Sequence, residues 1–569
     1  MNTSWDETFD VVIVGSGTGL FAAMMSARRG LSTLVVEKDE RFGGSTALSG
    51  GGMWLPGNRI VARDGVKDTR ERAERYLRGI VDGVSPEERW QTHLDYGAAV
   101  VDAIEENTSL RLETMREYAD YFSDEPGGSS GGRSVEPSPF DLNTLGSGSD
   151  MILTGTLSAP IPMPITGGDF KWMNLMSRKP GKAVPRIVRR VLQGLGGLAL
   201  GKNYVAGGLA LAAGLYDGAV KAGATLWNST PLTDLIIEDG AIRGIVVDRG
   251  GRQLRIGAER GVILAAGGFD RDMASRKRYQ SEAIEPGWQF GAPGNTGDLL
   301  GLAEKHGLAL ALLDKAWWFP AIPELAPGSG PIVLLAERSL PGSLIVDRSG
   351  HRFFNESVNY MTAGEEMLGL DDGQPPHLPA WMIVDSDFVK AYVMGGVKMP
   401  GMSIPRAWFD AGVAFSASSI EELGRIIGTT DLPGGVARFN VLAAQGNDDD
   451  FGRGRTAYDR YYGDPTVTPN PNLRPLSPHG PYFALSVVPG DLGTCGGLQA
   501  DEHARVRSVD GSIVPGLYAI GNAAANVFGG VYPGPGATIG QGLTLGYAAV
   551  LDIAGGESRQ RDRFTPAES

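Results

Sequence analysis

The stretch "GGVYPGPGAT", residues 529 to 538, sets one tyrosine, Tyr532, among four glycines and two prolines with no charged residue. Two readings of it stand. Glycine lets a ligand approach a backbone N–H closely and proline stiffens the loop that presents it, so the backbone itself can be the reagent. Otherwise the stretch is a tight surface turn holding a packed tyrosine. Two further stretches, "YADYF" at 118 to 122 and "RFFNESVNY" at 352 to 360, carry phenols that can donate a hydrogen bond or, once ionised, take a proton. Taken alone, such tyrosines read first as packed aromatics with satisfied hydroxyls.

The elements that position these residues begin at the N-terminus. "FDVVIVG" reads as a strand, "GSGTG" as a turn, "LFAAMMSARRG" as a helix and "STLVVEKD" as a second strand. In this β-α-β unit Gly15 makes the turn, Gly17 lets a pyrophosphate approach the backbone at the helix N-terminus, and Gly19 follows. The sixth position of the usual glycine pattern is Leu20, with Gly19 and Ala22 beside it. Glu37, at the end of the second strand, is spaced to bind an adenosine ribose hydroxyl, and Lys38 follows it. The unit alone leaves FAD and NAD open.

Later segments favour FAD. "RFGGSTALSGGGMWLP", residues 41 to 56, resembles the loop that runs under a flavin, with Gly43, Gly44, Ser45, Thr46, Ser49, Gly50, Gly51 and Gly52 offering amides and hydroxyls. "GVILAAGGFD" (261 to 270, with Ala266 and Gly267) and "GLYAIGNAAANVFGG" (516 to 530, with Gly521 and Asn522) each read as a strand running into small residues. They resemble the remote pieces that flavoproteins of the fumarate reductase and succinate dehydrogenase type return to their FAD. Asn295, Asp298 and Ile539 complete the expected cofactor set. Residues 41 to 56 contain no histidine, so the FAD is expected to be non-covalent.

The 569 residues are too many for one ordinary core. The expected fold is α/β: a Rossmann-like FAD-binding domain, with an inserted α+β substrate domain. Its first part spans 1–289 with a basic and apolar insertion at 151–205; the substrate domain spans 290–487. The second part of the FAD-binding domain covers 488–558, and 559–569 is a tail. A net charge of -14 with no basic stripe argues against nucleic acid. Cys495 is the only cysteine and the six histidines are scattered, so neither a disulfide nor a metal site is expected. "MNTSWDETFDVVIVG" has no basic n-region before an apolar run that glycines interrupt, which gives a cytoplasmic expectation.

With these residues in view, the chain resembles the 3-ketosteroid Δ1-dehydrogenases over nearly its whole length. The patterns that carry this are "GGSTALSGGGMWLP", "YADYF", "RFFNESVNY" and "YPGPGATIGQG" at 532 to 542. The resemblance implies Δ1-desaturation of a steroid A ring, a proton leaving C2 to a tyrosinate and a hydride leaving C1 to flavin N5. It implies that Tyr360 is the base, that Tyr121 hydrogen-bonds to it, and that Tyr532 with the Gly536 N–H grips the C3 carbonyl. Tyr118 competes with Tyr121 for the supporting role, being one helical turn away. The rivals are a 3-ketosteroid Δ4-(5α)-dehydrogenase and a fumarate-reductase-like flavoprotein with another substrate. Trp317, Trp318 and Phe319 are either channel walls or core.

Within 151–205, eight basic residues, Lys171, Arg178, Lys179, Lys182, Arg186, Arg189, Arg190 and Lys202, are opposed by Asp169 and interleaved with Trp172, Met173, Leu175, Met176, Ile187, Val188 and Leu192. Such a mixture suits a headgroup layer; it equally suits a basic loop packed on the protein's own acidic surface. The expectation is peripheral attachment through 165–202 to the inner face of the membrane, with a quinone or the respiratory chain as electron acceptor.

Overall fold

In the computed structural model, residues 4–81, 83–155, 162–370, 373 and 375–555 are described. The tail expected at 559–569 and part of the 151–205 insertion lie outside them.

The strand Glu7–Val14 is the axis of the first sheet. Its apolar run pairs in parallel with Thr33–Val36 on one side and with Arg252–Leu264 on the other, so strands distant in sequence become neighbours. Ile513–Ala519 and Thr225–Trp227 extend the parallel set outward. Parallel strands need covered faces. Helices Gly19–Arg28 and Ala537–Ile553 cover one, burying Leu20, Phe21, Leu543 and Leu545 against Val11 and Ile13. The other face packs Val12, Val14 and Val262 against Leu299 and Leu302 of helix Asp298–His306. That helix lies past residue 289 yet belongs to the first sheet's core, because its apolar stripe matches that face.

The second sheet is antiparallel. Tyr482–Thr494 lies at its centre and pairs with Ala316–Ile322, Ala380–Asp385 and Ala414–Ala417, with Ser343–Val346 beyond. This central strand runs through residue 487, so the second sheet has no break there. Among the described residues six helices lie between residues 360 and 461, giving the α+β character.

Among the described residues no helix is long and apolar enough to cross a membrane. Helices Gly167–Asn174 and Pro180–Ala199 occupy the basic stretch. Their charges divide into two groups. Arg190 is buried against Asp169 and Glu113, Arg178 binds Asp464, and Lys171 binds Glu117. Leu175, expected among the surface apolar residues, is instead buried in the second sheet's core beside Ile322 and Leu334. Lys182, Arg189 and Lys202 remain exposed.

Candidate active site

Both tyrosine stretches and the glycine-proline loop meet at one place. Tyr121 sits in a turn, Tyr360 opens the helix Tyr360–Leu368, and Tyr532 precedes the helix Ala537–Ile553; all three are buried. Their ring centroids form a near-equilateral triangle: Tyr121 lies 5.2 Å from Tyr360 and 5.1 Å from Tyr532, and Tyr360 lies 5.3 Å from Tyr532. The rings meet edge to face, an arrangement favoured by their quadrupoles. Tyr118 turns elsewhere, stacking on Tyr461 at 4.3 Å, so the geometry brings Tyr121 to Tyr360.

The strand Ala316–Ile322 supplies the wall. Alternation along it sends Trp317 and Phe319 to one face, where Trp317 packs on Tyr532 at 4.8 Å and Phe319 on Tyr360 at 4.6 Å. Trp318 points the other way, under the Arg276 guanidinium. The expected channel-or-core alternative therefore divides within one tripeptide.

Each phenol has a distinct setting. Thr538 Oγ1 donates to the Tyr532 hydroxyl at 3.0 Å, which leaves the Tyr532 proton free to donate. Burial raises the Tyr532 phenol, while the Thr538 and Tyr360 hydroxyls and the Gly536 amide oppose the rise. Gly536 has φ of 87°, and a Cβ there would stand 2.1 Å from the Gly52 carbonyl. Only glycine fits this close crossing of two loops. Burial also pushes the Tyr360 phenol well up, Tyr532 and Tyr118 add to the shift, and the Tyr121 hydroxyl opposes it. Asn359 caps the helix by accepting from the Thr362 N–H at 3.0 Å, and Tyr360 stands at that positive helix end, a position that favours a phenolate. Tyr121 Oη is buried and makes no hydrogen bond of full geometry among the described residues, while it lies close enough to the Tyr360 hydroxyl to oppose that phenol's rise.

The predicted cofactor residues assemble beside this box. Gly15 (φ 99°) turns the first strand over Ala265, and Gly17 and Gly19 lie against Thr46, Ile13 and Ala265 with no room to spare. Glu37 is buried; its Oε2 accepts from the Ser16 N–H at 3.0 Å and from the Ser16 hydroxyl, which in turn accepts from Gly43 N–H at 2.8 Å. Burial raises the Glu37 carboxyl and these donors oppose the rise. Gly44 and Ser45, with Thr46 behind them, start a short helix, while Ser49 donates to the Thr46 carbonyl and accepts from Gly51 N–H. Gly50 and Gly52 continue this loop toward Pro535. Ser45 Oγ accepts from Asn295 and from Ala292 N–H, both at 3.0 Å. Lys38 instead pairs with Asp298 at 2.8 Å across the mouth, so these two expected cofactor contacts engage each other.

A narrow cleft runs between these pieces. It is lined by Ala266, Gly267, Asp298, Gly496, Asn522 and Ala523 among others, and Gly521 precedes it. Asn522 Oδ1 accepts from Trp317 Nε1 at 3.1 Å, which links the cleft to the tyrosine box. Ile539 lies in the first turn of the last helix, next to Gly536. Cys495 is buried beside the cleft, and burial pushes its thiol well up. The glycine turn at the N-terminus of helix Gly19–Arg28, with the buried Glu37 carboxylate bonded behind it to Ser16, fits a dinucleotide.

The model of the FAD binding domain family matches residues 10–539 of this chain. The chain is 43% identical to a 3-oxosteroid 1-dehydrogenase of Mycolicibacterium smegmatis, over 96% of this chain and 97% of that protein. The chain belongs to the 3-oxosteroid 1-dehydrogenase family of FAD-binding flavoproteins. The flavoprotein is also 35% identical to a 4-oxocyclohex-2-ene-1-carboxylate 5-dehydrogenase of Sinomonas cyclohexanicum, over 96% of this chain and 93% of that one. The crystal structure of 3-ketosteroid delta1-dehydrogenase from Sterolibacterium denitrificans in complex with 1,4-androstadiene-3,17-dione is similar, with a TM-score of 0.90 at 35% identity, covering 96% of this chain and all of that one. FAD is the cofactor of this flavoprotein.

Several residues of the box were not legible as such. "YDRYY" holds Tyr458, Tyr461 and Tyr462, which stack around Tyr118 and Tyr121. The density of tyrosines was the available signal. His93, stacked on Trp54 and bonded to Thr544 and the Trp54 carbonyl, is held neutral by burial, its pKa lowered to about 3. Nothing in its neighbourhood in sequence marks it.

Proposed function

We propose that this protein desaturates the C1–C2 bond of 3-ketosteroids, with Tyr360, Tyr121, Tyr532 and Gly536 in the roles the resemblance implies. The observation that carries the reading is the convergence of three buried phenols and one glycine amide from three remote segments. A C–H beside a ketone is a weak acid, and donors aimed at the carbonyl oxygen acidify it most where water is excluded. Tyr532 O–H and Gly536 N–H are such donors, and Trp317 and Phe319 keep the box dry. Tyr360 takes the C2 proton as phenolate; Tyr121 donates to that oxygen, and the helix end favours the anion. Bound FAD supplies the acceptor for the C1 hydride.

A smaller cyclic ketone carrying a carboxylate is the competing substrate class, favoured by the 35% identity to a dehydrogenase of that kind. Such a substrate calls for a cation aimed at it. The aromatic rings that pack on the triangle favour the larger apolar ligand. Separate incubations with 4-androstene-3,17-dione, a 5α-3-ketosteroid and the oxocyclohexane acid, each with an artificial acceptor and followed by mass spectrometry and NMR, test the reading. A C1–C2 alkene supports it; a Δ4 product from a 5α-steroid, or turnover of the oxocyclohexane acid alone, refutes it.

We further propose that the two sheets are two domains, the second inserted in the first. The same reading includes peripheral attachment to the inner membrane face and a quinone as acceptor. Val184, Val188, Leu192, Leu195 and Leu198 are exposed at spacings of three and four along Pro180–Ala199, one unpartnered helical face. Lys182 and Arg189 flank it and Lys202 follows it, in a chain otherwise acidic. Anionic headgroups are the chemistry that matches both features.

A further inference from the structure

Tyr76 is fully buried in the helix Arg70–Val81, and no sequence pattern marks it. Its hydroxyl donates to the Pro533 carbonyl at 2.6 Å and accepts from the Phe122 N–H at 3.2 Å. Phe122 follows Tyr121 in the chain, and Pro533 follows Tyr532. The same Pro533 carbonyl also accepts from the Tyr121 N–H at 3.1 Å. Two loops that come from opposite ends of the chain are therefore joined at one carbonyl, with Tyr76 supplying the second of its two donors.

The surroundings hold that phenol in place. Its ring lies 6.1 Å from Trp54 and faces the Arg133 guanidinium at 5.6 Å. Arg133 is buried between Asp68 and Asp120, and Asp120 also accepts from Trp54 Nε1 at 2.8 Å. Trp54 in turn lies under Gly534, where a Cβ would stand 2.4 Å from its ring. Burial and the nearby Asp120 push the Tyr76 phenol well up, so it keeps its proton and its donor role at working pH.

We propose that Tyr76 is a positioning residue that sets the separation between the Tyr121–Tyr360 pair and the Tyr532–Gly536 pair. This rests on the proposed reaction. In a fused A ring the C2 hydrogen and the C3 oxygen have a fixed separation, so the base and the carbonyl donors cannot adjust independently. A misplacement on the order of 1 Å costs about 100-fold in rate.

The test is Tyr76→Phe as FAD-loaded enzyme, mixed anaerobically with 4-androstene-3,17-dione. Flavin reduction is expected to slow by about 10- to 100-fold with KM changed less than about threefold, because the substitution acts on the aligned complex and not on substrate contacts. The rise of the reduction rate with pH is expected to move to higher pH, since Tyr121 no longer holds its place beside Tyr360. Tyr518→Phe, which removes a hydroxyl that donates to Asp552 at the C-terminal end of helix Ala537–Ile553, away from the tyrosine box, serves as the control for simple loss of stability and should move neither quantity. A Tyr76→Phe enzyme reduced within twofold of wild type, with an unmoved pH profile, overturns the tie. Wild-type flavin that stays oxidised overturns the functional reading and this one with it. Where Tyr76→Phe fails to load FAD, 3-fluorotyrosine at position 76 keeps the hydroxyl. Its fluorine resonance should shift when 1,4-androstadiene-3,17-dione binds, and an unshifted resonance at saturation overturns the proposal.

Discussion

Replacing Tyr532 by Phe removes one oxygen and almost no volume from the box. The ring keeps its packing on Trp317 at 4.8 Å and on Tyr121 and Tyr360, so the loop is expected to stay in place. What is lost is the donor. Because Thr538 donates to that hydroxyl at 3.0 Å, the Tyr532 proton is directed away from Thr538. Loss of one donor from such a pair costs about 2.7 to 4 kcal/mol of barrier, or roughly 100- to 1,000-fold in rate. The Thr538 hydroxyl loses its acceptor as well, which costs about 1 kcal/mol of stability. The assay is single-turnover flavin bleaching under anaerobic conditions, which separates the chemical step from reoxidation. Steroid affinity should fall by much less than the rate, since the bond strengthens as negative charge develops on the carbonyl oxygen. Reduction within tenfold of wild type, in protein with full FAD content, refutes the assignment of Tyr532 as a carbonyl donor.

Tyr360→Phe is expected to lower flavin reduction below a tenth of the wild-type rate with an unchanged flavin spectrum; stopped flow decides this, and a smaller loss removes Tyr360 as the base. Because burial raises the Tyr360 phenol, the reduction rate in wild-type enzyme should climb as pH rises from about 7 toward 10, with the phenolate fraction, and Tyr360→Phe should flatten that climb. Heat or acid should release free FAD, and flavin that stays with the precipitated chain refutes non-covalent binding. Leu192→Glu with Leu198→Glu should abolish cosedimentation with anionic liposomes at low salt while sparing FAD content, and wild-type protein that never cosediments removes the membrane reading. Folding stability should fall above about pH 10: the buried phenols of Tyr76, Tyr118, Tyr121, Tyr360, Tyr458 and Tyr462 have raised values, so the unfolded chain loses protons that the folded one retains. Urea midpoints at pH 9 and pH 11 measure the loss, and equal midpoints contradict the burial.

The first sheet was legible because its signals are local. The strand, glycine turn, helix and Glu37 lie within about thirty residues, and each glycine has one reason to be there. The second sheet was legible only as a change of texture, because its central strand Tyr482–Thr494 takes partners from residues 316 to 417 and no local pattern announces antiparallel pairing across that distance. Helix Asp298–His306, expected in the 290–487 unit, packs on the first sheet for a similar reason. Its apolar stripe states that it is half buried, and only the complementary face of Val12 and Val14 states where. The charged insertion shows the limit of counting: Arg190 and Arg178 add to a basic tally in sequence but spend their charge on Asp169 and Asp464 inside the protein.

The tyrosines proposed for the reaction were singled out by resemblance and not by chemistry, and their settings explain why. A lone tyrosine in sequence is an aromatic that packs well. The properties that distinguish Tyr360 are its place at a capped helix start, a phenol 5.2 Å away by ring centroid, and a neighbouring Tyr532 that turns its proton elsewhere. All three are relations between segments more than 170 residues apart or between a side chain and a helix end. The glycine-proline loop is the exception. Gly536 must be glycine for a reason present in its own φ of 87° and in the 2.1 Å approach to Gly52, so its bareness in sequence already records that another backbone passes through the space a side chain would fill. That crossing sets the stiff uncharged loop at 529 to 538 against the glycine-rich loop at 41 to 56.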